Sequence, residues 1–233
     1  MSAFKYPGSE LQLFEKAVNW KTYWRKQLSP YVGRLVLEVG AGIGANTLLL
    51  AGAQDQWRWV CLEPDASLCA RLRSAVRKLG EVSVITGTIR TLEPDQRFDT
   101  ILYLDVLEHI TDDRDELQRA SRHLSPGGHL IVLGPAHQYL YTPFDRAVGH
   151  LRRYSRVSLR SAAPSCLSLV ELRYLDTAGM LASIANRLLL KQSMPTEAQI
   201  GVWDRYLIPV SRRLDPILRH RFGKSLLGVW RRQ

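Results

Sequence analysis

Residues 34–39 read RLVLEV, a short aliphatic run, and the chain then closes on Gly40-Ala41-Gly42-Ile43-Gly44. The run reads as a buried strand. Glycines at alternate positions let the backbone turn sharply and come close to a ligand, and the helix starting at Ala45 offers free N–H groups behind them. Such a strand–loop–helix unit commits the chain to a parallel sheet if further strand–helix pairs follow. They do. Strand-like runs lie at 57–62, at 81–85 (EVSVI), at 98–104 (FDTILYL) and in HLIVLG from His129. Helical stretches separate them: 45–53, then 65–79, with Leu68, Leu72, Val76 and Leu79 in period and Gly80 as the stop. A third, 111–124, carries Asp112, Asp113, Asp115 and Glu116 in its first turn, where negative charge suits the helix dipole. Ser125-Pro126-Gly127-Gly128 is predicted to end it and launch the fifth strand.

The flanks differ from this core. Ser9 and Gln12 form a capping-box start for a helix over about residues 9–28, with Leu11, Phe14 and Val18 at helical spacing and Ser29-Pro30 as its end. After Pro135 an irregular stretch, HQYLYTPFDRAVGHLRRY, precedes a short helix near Leu159, a sixth strand at about 167–174, a long helical region and a last strand, SLLGVW. In that helical region Met180, Leu181, Ile184, Leu188 and Leu189 share one face. Trp203, Tyr206, Leu207, Val210, Leu214, Ile217 and Leu218 share another, with Arg205, Arg212, Arg213 and Arg219 off it. Pro209 and Pro216 are predicted to cut this second stretch into short pieces. These segments form a lid over an acceptor pocket, a helix pair packed on the domain, or a contact with a membrane interface, which suits basic helices bearing Trp and Leu.

Charge singles out the same region. Lys plus Arg number 32 against 22 for Asp plus Glu, a net +10. Up to Asp145 there are 16 basic and 17 acidic residues; from Arg146 onward there are 16 and 5, so the excess belongs to the C-terminal portion. It calls for an anionic partner: nucleic acid, a lipid surface or a phosphorylated substrate. Cys61, Cys69 and Cys166 show no paired or metal-binding spacing and read as buried thiols in a reducing compartment. The N-terminus lacks a basic-then-apolar leader, and no apolar run approaches the ~20 residues that span a bilayer. A cytoplasmic protein is expected, peripheral at the inner membrane face at most.

The glycine loop admits two readings. Gly40, Gly42 and Ala45 satisfy the dinucleotide pattern G-x-G-x-x-G/A, and Glu63 follows at a suitable distance, as in an NAD(P)-dependent oxidoreductase. Against this, Glu38 precedes the first glycine, where it would repel a pyrophosphate but welcome a ligand bearing ammonium and sulfonium groups. The loop after the fourth strand reads LDVLEHI, with no Tyr-x-x-x-Lys pair for hydride chemistry. A methyl donor fits better.

With EVGAGIG (38–44), LEPD (62–65), FDTILYLDVLEHI (98–110) and LSPGGHLIVLGPA (124–136) in this order, the chain resembles the class I S-adenosylmethionine-dependent methyltransferases. It is similar in particular to a bacterial type 11/12-like branch with a GHxRRYS segment, here Gly149-His150 and Arg152 to Ser155, and an FGxSLL strand at Phe222 to Leu227. The resemblance implies a Rossmann-like, doubly wound α/β sheet of seven strands, order 3-2-1-4-5-7-6 with strand 7 antiparallel, an N-terminal helix and a C-terminal helical insertion. It implies one domain, with 1–30 as a cap helix, 31–136 as the donor-binding core and 137–233 on the acceptor side. S-adenosylmethionine is the implied cofactor. Gly40, Gly42 and Gly44 would pass beneath its methionine part with Glu38 near the amino group, and Glu63 would accept both ribose hydroxyls. Asp65 would cap the next helix. Where the family commonly has an acidic residue at the adenine amino group, this chain has Thr88; Ile89 would pack on the ring, with Leu104 and Asp105 across it. His109 of the LEH motif is either structural or catalytic. Trp20, Tyr23 and Trp24 either cover the donor and favour its cationic sulfur or simply pack their helix.

Methyl transfer from a sulfonium is an in-line displacement that needs placement and exclusion of water, and no metal. A hydroxyl acceptor also needs a base; His137, Asp145, His150 and Tyr154, after the fifth strand, are the candidates. Arg152, Arg153, Arg156 and Arg160 either grip a phosphate or form a solvated face. A small-molecule or lipid-like acceptor is the expectation, with nucleic acid the weaker reading because neither a base-amine signature nor a Pro-Cys nucleophile is present. A non-catalytic binding protein on the same fold remains the alternative from another class.

Overall fold

Strand β1 (Leu35–Val39) is buried on both faces, as a central strand of a parallel sheet must be. Val36 joins Trp59, Leu102 and Ile131 in the core on one face, while Leu37 and Val39 join Leu62, Ile101 and Leu130 in the core on the other. The computed structural model describes residues 5–8, 11–51, 57–189 and 194–233, without the side chains of 186–189. The expected cap at Ser9, the helix end at 52–53 and the side chains of Leu188 and Leu189 lie outside the described residues.

Six further strands complete the sheet: β2 (Arg58–Glu63), β3 (Val82–Thr86), β4 (Phe98–Leu104), β5 (Leu124–Pro135), β6 (Leu167–Leu175) and β7 (Ser225–Arg232). Their order is β3-β2-β1-β4-β5-β7-β6, and β7 runs antiparallel to both neighbours, as expected. The helices are α1 (Leu11–Glu15), α2 (Val18–Leu28), α3 (Ala45–Ala51), α4 (Ala66–Val76), α5 (Asp113–Arg122), α6 (Pro143–Ala147), α7 (Arg156–Ala162), α8 (Thr177–Leu189), α9 (Glu197–Val202) and α10 (Ile208–Ile217).

Several expectations need correction. The N-terminal helix is interrupted between α1 and α2, where the Ala17 N–H turns back to Phe14 O at 3.1 Å. Ser125 to Gly128 does not precede β5 but belongs to it. Gly128 makes this possible, because a Cβ there would meet Ser125 O at 2.9 Å and the Asp99 carbonyl oxygen of β4 at 3.0 Å. Pro209 and Pro216 do not divide their stretch: α9, a wider π-type turn over Trp203–Leu207, and α10 run on without a break. The wide turn shifts the backbone hydrogen bonding just before Pro209, which lets the helical run take in a residue without an N–H. Cys61 and Cys69 are buried, but Cys166 is exposed. Among the described residues no helix is long and apolar enough to cross a membrane.

Candidate active site

The sheet register brings the strand ends together. Val39 pairs with Leu62 and with Tyr103, and Leu104 pairs with Leu133. Gly40, Glu63, Asp105 and Ala136 therefore emerge along one rim, the place where open α/β sheets bind ligands.

The glycine loop is fixed to β2: the N–H groups of Gly40 and Ala41 both donate to Leu62 O, at 2.8 and 3.1 Å. Gly40, Gly42 and Gly44 all have positive φ (69°, 56° and 85°). Their needs differ. A Cβ on Gly40 would lie 2.7 Å from Val106, and one on Gly44 2.7 Å from Leu72, whereas at Gly42 nothing is nearer than Leu11 at 3.7 Å. Packing demands the outer two glycines, and Gly42 is the one that faces the rim with room to spare. Glu63 is aimed by the loop itself: the N–H of Gly42 donates to Oε2 (2.8 Å) and that of Asp65 to Oε1 (2.9 Å). Burial raises this carboxyl, and the two backbone hydrogen bonds oppose the rise. Asp65 caps α4 through Ser67 and Leu68; chiefly the Ser67 hydrogen bond holds it down to about 2.

Glu38 lies beneath the loop, 2% exposed, with Oε2 accepting from Thr47 Oγ1 (2.7 Å) and Trp59 Nε1 (2.8 Å). Burial pushes its carboxyl up to about 7. Thr88 is exposed and caps the short turn Ile89–Thr91, its hydroxyl accepting from the Arg90 N–H, while Ile89 is buried in the core. Leu104 is buried at the end of β4, and Asp105 follows it, exposed, with φ 56°. Trp20 packs on Trp203 (ring centroids 5.9 Å apart), the Tyr23 hydroxyl donates to Asp215 (2.7 Å), and Trp24 is buried, so these aromatics join α2 to the helical insertion.

Two features escaped the sequence reading. Lys21, among those aromatics, is buried, and burial lowers its ammonium against the attraction of Glu15, Glu38 and Asp105. The N-terminal segment crosses the rim: the Tyr6 N–H donates to Asp65 Oδ2 (2.8 Å), the Tyr6 ring meets His109 edge-on (5.6 Å), and Pro7 lies 2.8 Å from where a Gly149 Cβ would be. Nothing in its composition signals that role.

On the acceptor side Asp145 is the hub. It has no exposed surface and accepts from Thr142 N (2.8 Å), His150 Nδ1 (2.8 Å) and both Arg153 Nε (2.8 Å) and Nη2 (2.9 Å). Burial opposes its ionisation, but the His150 and Arg153 hydrogen bonds win and hold it down to about 2. The Tyr154 hydroxyl donates to Asp113 Oδ2 (2.9 Å), and burial raises it further. His137 has φ 66°, stacks on Tyr174 (4.5 Å) and leaves a buried Nε2 with no partner; burial lowers its ring. Lys224, at the start of β7, stands 3.8 Å over the Trp203 ring and 3.6 Å from Asp176. The arginine cluster is largely committed internally. Arg152 pairs with Asp113 (2.9 Å), Arg153 with Asp145, and Arg156 with the Tyr174 ring and His220 O.

Comparison with known proteins agrees with this geometry. Residues 37–130 match the family model described as a methyltransferase domain. Over 111 residues the chain is 33% identical to a ubiquinone biosynthesis O-methyltransferase of Bradyrhizobium sp. (strain ORS 278), covering 46% of this chain and 42% of that protein. Over 121 residues it is 29% identical to a tRNA U34 carboxymethyltransferase of Shewanella sp. (strain ANA-3), covering 48% and 36%. The chain thus spans less than half the length of these two curated relatives. Its fold is similar to that of the N-methyltransferase NodS from Bradyrhizobium japonicum WM9 in complex with S-adenosyl-L-homocysteine: TM-score 0.61, 18% identity, 99% of this chain and 93% of that one.

Proposed function

We propose that this chain, a class I S-adenosylmethionine-dependent methyltransferase, carries a methyl group from that donor to a small-molecule or lipid-like acceptor. The observation that carries the reading is the glycine loop bracketed by carboxylates, Glu38 beneath it, Glu63 beside it and Asp105 at the end of β4. Such a rim repels a pyrophosphate and favours a cationic ligand. The residues fit the donor. Glu63 has one lone pair on each oxygen held by a backbone N–H, which leaves one on each for two ribose hydroxyls. Gly42 leaves space where the methionine part would pass, with Gly40 and Gly44 shaping the turn. Ile89, Leu104 and the exposed Thr88 border the adenine side.

The bound donor supplies a methyl group already activated on a sulfonium. Tyr6, Pro7 and Leu11 cover the rim and exclude water. Among the four candidate bases His137 and His150 each have a ring nitrogen without a hydrogen-bond partner, and His137, whose nitrogen is not turned toward Glu108, is assigned the proton of a hydroxyl acceptor. Asp145, His150 and Tyr154, bound into the protein, shape the acceptor wall. Residues 1–30 act as the cap, 31–136 as the donor core and 137–233 as the acceptor side, whose outer helical face docks on anionic lipid. Nucleic acid is a weaker acceptor because Arg152, Arg153 and Arg156 are already engaged.

Thermal denaturation with S-adenosylmethionine, S-adenosylhomocysteine and NAD(P)H tests the reading. The first two should stabilise the chain, and Glu63→Ala should remove most of that shift. Stabilisation by NAD(P)H alone would overturn it. Isotope-labelled methyl donor supplied to cell extract, with mass spectrometry of the labelled product, identifies the acceptor.

A further inference from the structure

Just past β4, the turn Leu107–His109 places a carboxylate where no donor serves it. Glu108 has no exposed surface, and neither of its oxygens has a hydrogen-bond partner. A buried carboxyl without donors either holds a proton, as burial favours here, or gives it up when a cation completes its surroundings. Two imidazoles face it. His109 is its chain neighbour, and His150 comes from the loop after α6, its Nε2 standing 3.7 Å from Glu108 Oε1, too far for a hydrogen bond. One ligand atom from each of the three residues lies within 4.8 Å of the other two.

The rings are oriented for this. Asp145 takes the Nδ1 side of His150 at 2.8 Å, and Arg153 and Thr142 fix Asp145 in turn, so Nε2 is the nitrogen turned toward Glu108. A carboxylate behind an imidazole is the arrangement that orients metal-ligating histidines. The His109 ring stands edge-on to His150, with centroids 4.7 Å apart.

We infer that Glu108, His109 and His150 form a binding site for a divalent transition-metal ion of the zinc type. Two imidazole nitrogens and one carboxylate oxygen are the donor set such ions take, whereas magnesium and calcium prefer oxygen alone. Three protein ligands leave a coordination position for water or an acceptor oxygen. The ion ties the turn after β4 to the acceptor-side loop, which are already linked by the Leu151 N–H to Glu108 O bond (2.9 Å), and the Tyr6 ring rests on the same wall. The site needs neither methyl donor nor acceptor, so it stands or falls independently of the proposed activity.

The test is a titration of the chelator-treated whole chain with zinc chloride, and with cobalt chloride for its visible spectrum, both without methyl donor. About one equivalent should bind, raise the melting temperature more than magnesium does, and give the absorption of imidazole-coordinated cobalt. Glu108→Gln keeps the shape, removes the charge and should weaken zinc binding by about 100-fold or more. His109→Asn should do the same and decides the matter if the first variant does not fold. Zinc binding no tighter in the parent chain than in these variants would overturn the site.

Discussion

Glu38 sets two demands against each other. Its Oε2 serves both Thr47 and Trp59, which holds α3 and β2 against β1, yet burial moves its carboxyl from 4.5 to about 7. A raised carboxyl favours the folded state while protonated, so this contribution is fully present below 4.5 and is lost as pH rises through about 7. Glu38→Gln keeps the accepting oxygen and removes the charge. The variant should show a flatter stability profile from about pH 5 to 8, and at about pH 8 should exceed the parent by up to about 3 kcal/mol. Urea denaturation across that range checks it; a variant less stable at high pH would show that the charge itself is stabilising. The sequence made Glu38 and the glycines legible because their roles are local. It did not separate Gly40, hemmed in by Val106, from Gly42, which faces open space, because Val106 arrives from the loop after β4, distant in sequence. Glu108 and His150 stayed apart for the same reason, since only the fold brings the LEH turn against the loop after α6.

At the scale of elements, two helix starts draw on carboxylates of the insertion, α2 in place of a cap of its own and α8 in addition to its own N-cap Asp176, which accepts from Gly179 N (2.9 Å). The N-terminus of α2 follows Ala17, which supplies no side-chain cap, and Asp204 accepts from Asn19 N (3.1 Å) and Trp20 N (2.8 Å) instead. Asp215 does the same at the start of α8, accepting from Asp176 N (2.7 Å) and Thr177 N (3.0 Å) as well as from the Tyr23 hydroxyl. These remote caps fasten the helical insertion to both α2 and the sheet. Asp204→Ala should cost about 1–2 kcal/mol, as loss of a cap does, and lower the melting temperature by several degrees. Asp204→Asn, which retains an accepting oxygen, should restore part of the loss; an unaltered melting temperature in Asp204→Ala would show that water replaces the cap. The same contacts explain a misread helix face. Asp204, Ser211 and Asp215 turn inward with Trp203, which leaves Tyr206, Val210 and Ile217 outside although hydrophobicity alone groups them with the core. Periodicity reveals an apolar face but not which polar residues the interior will claim.

At the scale of the whole molecule, the alternation of strands and helices implied a parallel sheet, and the resemblance to class I methyltransferases implied the strand order that the sheet adopts. What the alternation could not foresee was where the surplus charge would act. Intramolecular pairing takes up Arg152, Arg153 and Arg156, so the excess that remains exposed includes Arg205, Arg212, Arg213 and Arg219 along the run from α9 through α10. Beside them Val202 (55% exposed), Tyr206 (58%), Val210 (43%) and Ile217 (75%) form an outward apolar stripe. Arg205 in the wide turn, Arg212 in α10 and Arg219 just past its end are all exposed. An apolar stripe beside exposed arginines has the chemistry suited to a lipid interface, apolar area for the acyl chains and guanidinium groups for the headgroups, and the proposed membrane contact is tested on it. Each arginine near an anionic membrane contributes about 1 kcal/mol, so replacing Arg205, Arg212 and Arg219 together by Gln should weaken binding by about 100-fold. Flotation with vesicles containing anionic lipid should recover the parent chain at low salt, lose it at high salt, and lose it at either with the triple variant. Recovery with neutral vesicles alone, or none with anionic ones, would remove the membrane from the account and leave the arginines as a solvated face.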